Sequence, residues 1–502
     1  MTLPRVSLRP AALALFAALA GCASLRGGRA TEPVRELRRA TDSLLAQPRF
    51  RSAALGVLVV DPARGDTLVS RNAGKLFIPA SNQKLLTGAV ALTQLGPDFR
   101  FSTSVFADGP IADGVVFGNL RFEGMGDPSM SDHMAGDAMR PLRALADSLA
   151  ARGVVRIRGA LVPGRDAFPD ATWGFGWAWD DVDFAYSAGV DELYFNEGFL
   201  AIDVIGGRSA GELPAMRVRP NPAFPNVRVQ ATTVERTTPG ERPRVRASHD
   251  STDALAVIVD GAIAIGDSQR VELTHRDQAR AWLEAARTAL RDRGILVDGG
   301  IGERTPAPPT AWTEPAGTLL FSVASPPLSE ILVAFEKPSQ NQIGEILLKS
   351  LGRAKRGAGT ADSGARVVRD QLVAWGAAPD GFVVRDGSGL SRHNVVTPAT
   401  IITVLDAMRQ GPLFETFRRA LPIAGVDGTI GTRMRGTPAQ GNVHAKTGTL
   451  DMVRSLSGYV TTADGRLLLF SLLANNFTVP TREVDALHEA IAVRLSQLGG
   501  RR

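Results

Sequence analysis

The stretch IPASNQKLLTGAVAL, Ile78–Leu92, sets a serine and a lysine three residues apart at the head of an apolar helical run. Leu85, Leu86, Ala89, Val90, Leu92 and Leu95 recur at helical spacing, and Gly96-Pro97 ends the run. Residues three apart share one helix face, so the amine of Lys84 can reach the hydroxyl of Ser81. A helix N-terminus carries partial positive charge, which disfavours a protonated amine and favours developing negative charge. Those conditions suit a serine nucleophile with an amine base. A serine N-cap beside an exposed lysine would look the same in isolation. Scarcity argues for the first reading. Of 57 Lys plus Arg, six are Lys: residues 75, 84, 337, 349, 355 and 446. Arginine serves for surface charge, but lysine alone can give up its proton when its pKa is lowered.

Two further triplets share this chemistry. Lys446-Thr447-Gly448, continued by Thr449, lies on a strand-like run before a hairpin turning at Asp464-Gly465. It offers a fixed cation, hydroxyls, and a glycine that lets a substrate backbone lie close to the strand. Ser339-Gln340-Asn341 falls in a loop between two helices. The same Ser-x-Asn pattern at Ser70 and Asn72 is set aside because it falls in an early strand hairpin. Each triplet alone is also a common surface pattern.

Together, Ser-x-x-Lys, Ser-x-Asn and Lys-Thr-Gly, in that order and on helix, loop and strand, form the signature of penicillin-recognising serine enzymes. The gap between the first two is far longer than that between the last two. The chain therefore resembles the D-Ala-D-Ala carboxypeptidase/endopeptidase family of low-molecular-mass class C penicillin-binding proteins, in which two extra domains separate the first two motifs. GMGDPSM (Gly124–Met130), GWAWDD (Gly176–Asp181), DGSGLSRHN (Asp386–Asn394) and HAKTGTL add to the likeness. Ser-Gln-Asn in place of the commoner Ser-Asp-Asn is a departure. The resemblance implies an α+β fold: a β-lactamase/transpeptidase-like domain with a central antiparallel sheet flanked by helices, plus inserted β-rich domains. It implies Ser81 as the acylated residue, Lys84 as base and Ser339 as proton relay. Asn341, Lys446, Thr447, Gly448 and Thr449 would bind substrate, with backbone N–H groups of Ser81 and Thr449 as oxyanion hole. Arg392 and Asp181 are candidates for contacting diaminopimelate. Substrates would be peptidoglycan stem peptides ending in D-Ala-D-Ala, and β-lactams would acylate the serine. No cofactor or metal is expected, since no His/Cys/Asp cluster has ligand spacing.

The start, MTLPRVSLRPAALALFAALAGCAS, has Arg5 and Arg9 before a short apolar run, the pattern of a secretory signal. The chain's one cysteine, Cys22, completes LAGC, which resembles a lipoprotein lipobox. Lipidation there would anchor the protein in the cell envelope facing the periplasm. Ala23, rather than the Asp associated with inner-membrane retention, favours the outer membrane. The expected division is 1–21 signal, 22–100 first part of the catalytic domain, 101–272 β-rich insertion, and 273–502 second part. The insertion is expected to shape polymer recognition without being needed to build the acylation site. Its Trp173, Trp177 and Trp179 are expected to pack in its core rather than stack on sugars. A net charge of +6 without a basic block interleaved with aromatics argues against nucleic acid. A β-lactamase or esterase of the same fold is disfavoured by the long insertion. A non-catalytic cell-wall-binding lipoprotein is disfavoured by three intact triplets.

Overall fold

A computed structural model describes residues 31–235, 242–304 and 317–500. Cys22 and the signal-like segment lie outside the described residues. In the catalytic part, α1 (Glu32–Leu45) is followed by β1 (Ala54–Asp61), β2 (Asp66–Arg71) and α2 (Gln83–Leu95). After the insertion come α3 (Leu328–Glu336), α4 (Asn341–Arg356), β3 (His444–Leu450), β4 (Val453–Thr461), β5 (Leu467–Asn475) and α5 (Thr481–Gln497). The strands form one antiparallel sheet in the order β2-β1-β5-β4-β3. The two ends of the chain thus meet at the β1–β5 ladder, and β3 forms an edge.

Period-2 alternation decides which residue faces which layer. On β5, Leu468, Phe470 and Leu472 enter a core shared with α1 and α5, while Leu469 and Leu473 enter a core shared with α2, α3 and α4. Helices cover both faces, so β5 reads as a continuous apolar run. α2 is buried on nearly every side from Gln83 to Leu92. That burial makes it the central helix on which the site is built.

The insertion leaves and re-enters along one ladder. Strand Ser102–Ala107 pairs with strand Thr318–Ala324, with Ser102 opposite Ala324, and Phe101 and Ser325 exchange hydrogen bonds just outside. Helix Gln278–Asp292 buries Trp282 and Leu283 in the same core as Val105, Phe122 and Leu142. The sequence boundary at 272 is therefore drawn too early. A change from strand to helix pattern does not mark a change of core, and the insertion runs through residue 324. A second core, around Ile202, Val204, Val257 and Val259, forms a smaller β lobe within it.

The hairpin turns of the central sheet are tied by a buried ion. Asp61 is fully buried and accepts from Arg466 Nη1 at 2.8 Å. Removing one partner of such a pair leaves an uncompensated charge. Arg466→Ala is expected to lower stability by about 2 kcal/mol, read as a shift in the urea midpoint. An unchanged midpoint would show that the tie contributes nothing.

Candidate active site

Ser81 lies in a single 3-10 turn, Ala80–Asn82, that leads into α2. Ala80 is buried with φ +47°, a left-handed conformation that a non-glycine residue holds only when its surroundings demand it. The surroundings are specific. Ile78 exchanges hydrogen bonds with the Asn475 side chain at 2.7 and 3.1 Å, and Ser455 Oγ donates to the Pro79 carbonyl at 2.8 Å. Asn82 Nδ2 donates to the Lys446 carbonyl at 2.8 Å. Gly448 faces this turn: a Cβ there would stand 2.6 Å from the Pro79 oxygen and 3.0 Å from the Ser81 nitrogen. The close approach that glycine permits is therefore first of all to the Ser81 turn.

Lys84 is fully buried. Its Nζ donates to Ser81 Oγ at 3.0 Å, Asn341 Oδ1 at 2.7 Å and the Ser388 carbonyl at 2.7 Å. Burial first, and then the Lys446 charge, bring its pKa down to about 7. Lys446 is also fully buried, with Nζ donating to the Thr447 carbonyl at 3.1 Å. Burial holds its pKa below the usual lysine value, opposed by Glu336. Thr447 Oγ1 bonds Thr429 Oγ1 at 2.7 Å, and Arg454 donates to Thr449 Oγ1. Ser339 is half-buried with φ +67° in the turn between α3 and α4. The fold thus brings Ser81, Lys84, Asn341 and the Lys446–Thr449 strand into one place, with Ser339 two residues from Asn341.

Arg392 and Asp181 lie outside this set. Arg392 is exposed and donates to the Asp451 carbonyl at 2.6 Å. Asp181 accepts from the Tyr186 hydroxyl at 2.5 Å, and the Tyr186 carbonyl accepts from Asn341 Nδ2 at 2.7 Å. Through Tyr186 the insertion touches the site. Trp177 adds a second contact, its Nε1 donating to Asp386 Oδ2 at 2.9 Å. The insertion, expected to be dispensable for building the acylation site, thus contacts Asn341 and Asp386 directly. The tryptophan expectation is corrected. Trp179 is 85% exposed, and Trp177 binds the catalytic part rather than packing in the insertion core.

Residues 386–391, quoted above only for likeness, have a physical task. Buried Asp386 accepts from the backbone N–H groups of Gly389 and Ser391, at 2.8 and 2.6 Å, shaping the turn that presents the Ser388 carbonyl to Lys84. Glu345 on α4 accepts from the N–H groups of Gly387 and Ser388. Gly389 lies against the Ala80 carbonyl, where a Cβ would stand at 1.9 Å. No spacing signal marks Glu345, whose partners lie more than forty residues away in sequence. Among the described residues one acidic trio, Asp166, Asp191 and Glu192, has the spacing for a cation, and Arg304 ion-pairs with all three. No helix among them is long and apolar enough to cross a membrane.

Comparison with known proteins identifies relatives over nearly the whole chain. The profile of the D-Ala-D-Ala carboxypeptidase 3 (S13) family matches residues 37–498. A D-alanyl-D-alanine carboxypeptidase of Actinomadura sp. (strain R39) is 34% identical, over 97% of this chain and 89% of that protein. D-alanyl-D-alanine carboxypeptidase DacB of Haemophilus influenzae is 28% identical, over 86% and 88% respectively. The crystal structure of penicillin binding protein 4 from Haemophilus influenzae superposes with a TM-score of 0.77 at 25% identity, covering 91% of this chain and 99% of that one.

Gly448→Ala should push the strand off the Ser81 turn. Displacement of about 1 Å at a reacting centre costs on the order of 100-fold in rate. The penicillin acylation rate constant is expected to fall by that order while the melting transition remains cooperative. An unaltered rate would show that the contact does not set the geometry.

Proposed function

The chain belongs to the D-Ala-D-Ala carboxypeptidase 3 (S13) family and is a serine-type D-Ala-D-Ala carboxypeptidase/endopeptidase, and from that premise we propose how its residues divide the reaction. Ser81 Oγ attacks the carbonyl carbon of the penultimate D-Ala, and neutral Lys84 takes the hydroxyl proton. The C–N bond breaks, the leaving amine receives a proton by way of Ser339, and an ester remains on Ser81. Water then hydrolyses that ester and restores the hydroxyl. Lys446 pairs with the carboxylate of the terminal D-Ala, assisted by Thr447 and Thr449. Backbone N–H groups of Ser81 and Thr449 face the developing oxyanion. The observation that carries this reading is the 3.0 Å bond from a fully buried lysine to the serine hydroxyl.

Asn341 is engaged at both ends, by Lys84 on its oxygen and by the Tyr186 carbonyl through its nitrogen. A substrate amide oxygen bound by this side chain would take the place of that carbonyl. The peptide itself would lie along the edge strand β3, where backbone hydrogen bonds are open to an added strand. Asp181, Tyr186 and Arg392 would then border the part of the stem peptide beyond the scissile bond. The substrate is the stem peptide of peptidoglycan, and the same serine takes β-lactams. We place the work in the bacterial envelope, on the periplasmic side, with lipid on Cys22 as anchor and the outer membrane as its site.

Incubation with a fluorescent penicillin is expected to label Ser81, and Ser81→Ala should carry no adduct by mass mapping. Labelling that persists in the variant would remove Ser81 from its role. Lys84 must be neutral to accept the proton, and its neutral fraction grows as pH rises through about 7. The acylation rate constant should therefore fall towards tenfold per pH unit below that range and level off above it until Lys446 begins to lose its proton. Lys84→Arg should lose acylation severely, whereas Lys446→Arg keeps the cation and should lose less. Equal losses would contradict the separate roles. For the anchor, Cys22→Ser should leave the membrane fraction or stay unprocessed. Normal processing with retained membrane association would overturn the lipid assignment.

A further inference from the structure

Glu336, the last residue of α3, is fully buried, and neither carboxylate oxygen has a hydrogen-bond donor among the described residues. A carboxylate so placed costs several kcal/mol unless opposite charge lies near. The charges that act on it are those of Lys446 on β3 and Lys84 on α2. Its neighbour Lys337 is turned away, bonded to Asp427 and the Leu421 carbonyl.

The backbone makes room for this carboxylate. Gly88 lies one turn after Lys84 on α2, and a Cβ there would stand 2.7 Å from Glu336 Oε1. Glycine inside a helix costs about 1 kcal/mol relative to alanine. The space it leaves at this position is filled by the Glu336 side chain. The carboxylate is thus held against the nucleophile's helix, within a turn of the base.

Acylation, as assigned above, demands opposite states of two buried lysines. Lys84 must be neutral, and Lys446 must be charged to hold the substrate carboxylate. Two ammonium groups alone in a dry site would each lower the other's proton affinity. We propose that Glu336 is a positioning residue that supplies the compensating negative charge behind both lysines and so sets where on the pH scale the window lies in which Lys84 is a base and Lys446 a cation. The inference rests on the acyl-enzyme reading of the site. Directions of proton affinity agree with it. Burial raises the Glu336 carboxyl against the pull of Lys446 and Lys84, and Glu336 in turn raises both lysines. Asp386 and Glu345 also act on Lys84 but are not among the groups acting on Lys446, so Glu336 is the carboxylate common to the pair.

The test is the pH profile of penicillin acylation in the full chain, from about pH 5 to about pH 9.5. In Glu336→Gln both limbs are expected to move to lower pH, by about one unit. The acid limb moves because Lys84 loses its proton more readily, and the alkaline limb because Lys446 does. A group that only fills space would lower the plateau and leave both limbs in place, and that result overturns the proposal. Gly88→Ala displaces the same carboxylate without removing its charge and should shift the limbs in the same direction by less. If Glu336→Gln does not fold, unmoved limbs in a folded Gly88→Ala protein overturn the proposal in its place. Failure of the unaltered protein to form any adduct on Ser81 would instead sink the acyl-enzyme reading beneath it.

Discussion

An ammonium group enclosed in protein must either find acceptors for its protons or release one. Lys84 meets that constraint with three acceptors: Ser81 in the turn that leads into its own helix and, from two distant segments, Asn341 at the start of α4 and the Ser388 carbonyl in the 386–391 turn. None of these positions is free to move without leaving the amine unsatisfied in a low-dielectric site. Around this nitrogen the helical layer closes on the sheet. The same enclosure brings its pKa towards neutrality and favours the uncharged amine, the state in which it can accept a proton.

Bringing three segments to one nitrogen requires backbones to pass closer than side chains allow. Gly448 lets the edge strand touch the Ser81 turn, and Gly389 lets the 386–391 turn touch it from the other side. Gly387 and Gly344 face each other between that turn and α4, where a Cβ on Gly387 would stand 2.0 Å from the Gly344 oxygen. The polar groups exposed by these approaches are accounted for locally by Asp386, Glu345, Asn394 and Asn475. A preorganised site of this kind places donors where charge develops instead of waiting for solvent to reorient.

The insertion is attached through one ladder at residues 102 and 324, a geometry that would let it be a passive appendage. Its loop at 177–188 makes it something more. Tyr186 orients the amide of Asn341, and Trp177 grips Asp386, so the insertion holds the residues that in turn hold Lys84. Phe184 stacks on Tyr186 at 5.5 Å, and Trp179 of the same loop region is exposed to solvent. Contacts made by remote parts of a polymer can be transmitted to the reacting centre through such a loop, which is how binding energy away from the scissile bond raises turnover.

Sequence alone singled out Ser81, Lys84 and Lys446 and the long insertion. Each of these is written locally. Ser81 and Lys84 are related by helical spacing, Lys446 is conspicuous in an arginine-rich chain, and strands and turns announce themselves by period and by Asp-Gly or Pro-Gly punctuation. The tertiary structure alone decided what those residues touch. Asp386, Glu345 and Glu336 look like any acidic residues in a linear reading. Only packing removes them from water, sets all three near Lys84 and brings Glu336 to Lys446 as well. The end of the insertion was misread at 272 for a related reason, because the helix Gln278–Asp292 has a clear local pattern while the core it fills is chosen by strands nearly two hundred residues earlier. Local chemistry follows from residue type and spacing. Burial, charge coupling and close backbone approach depend on contacts between distant segments, and these exist only once the chain has closed on itself.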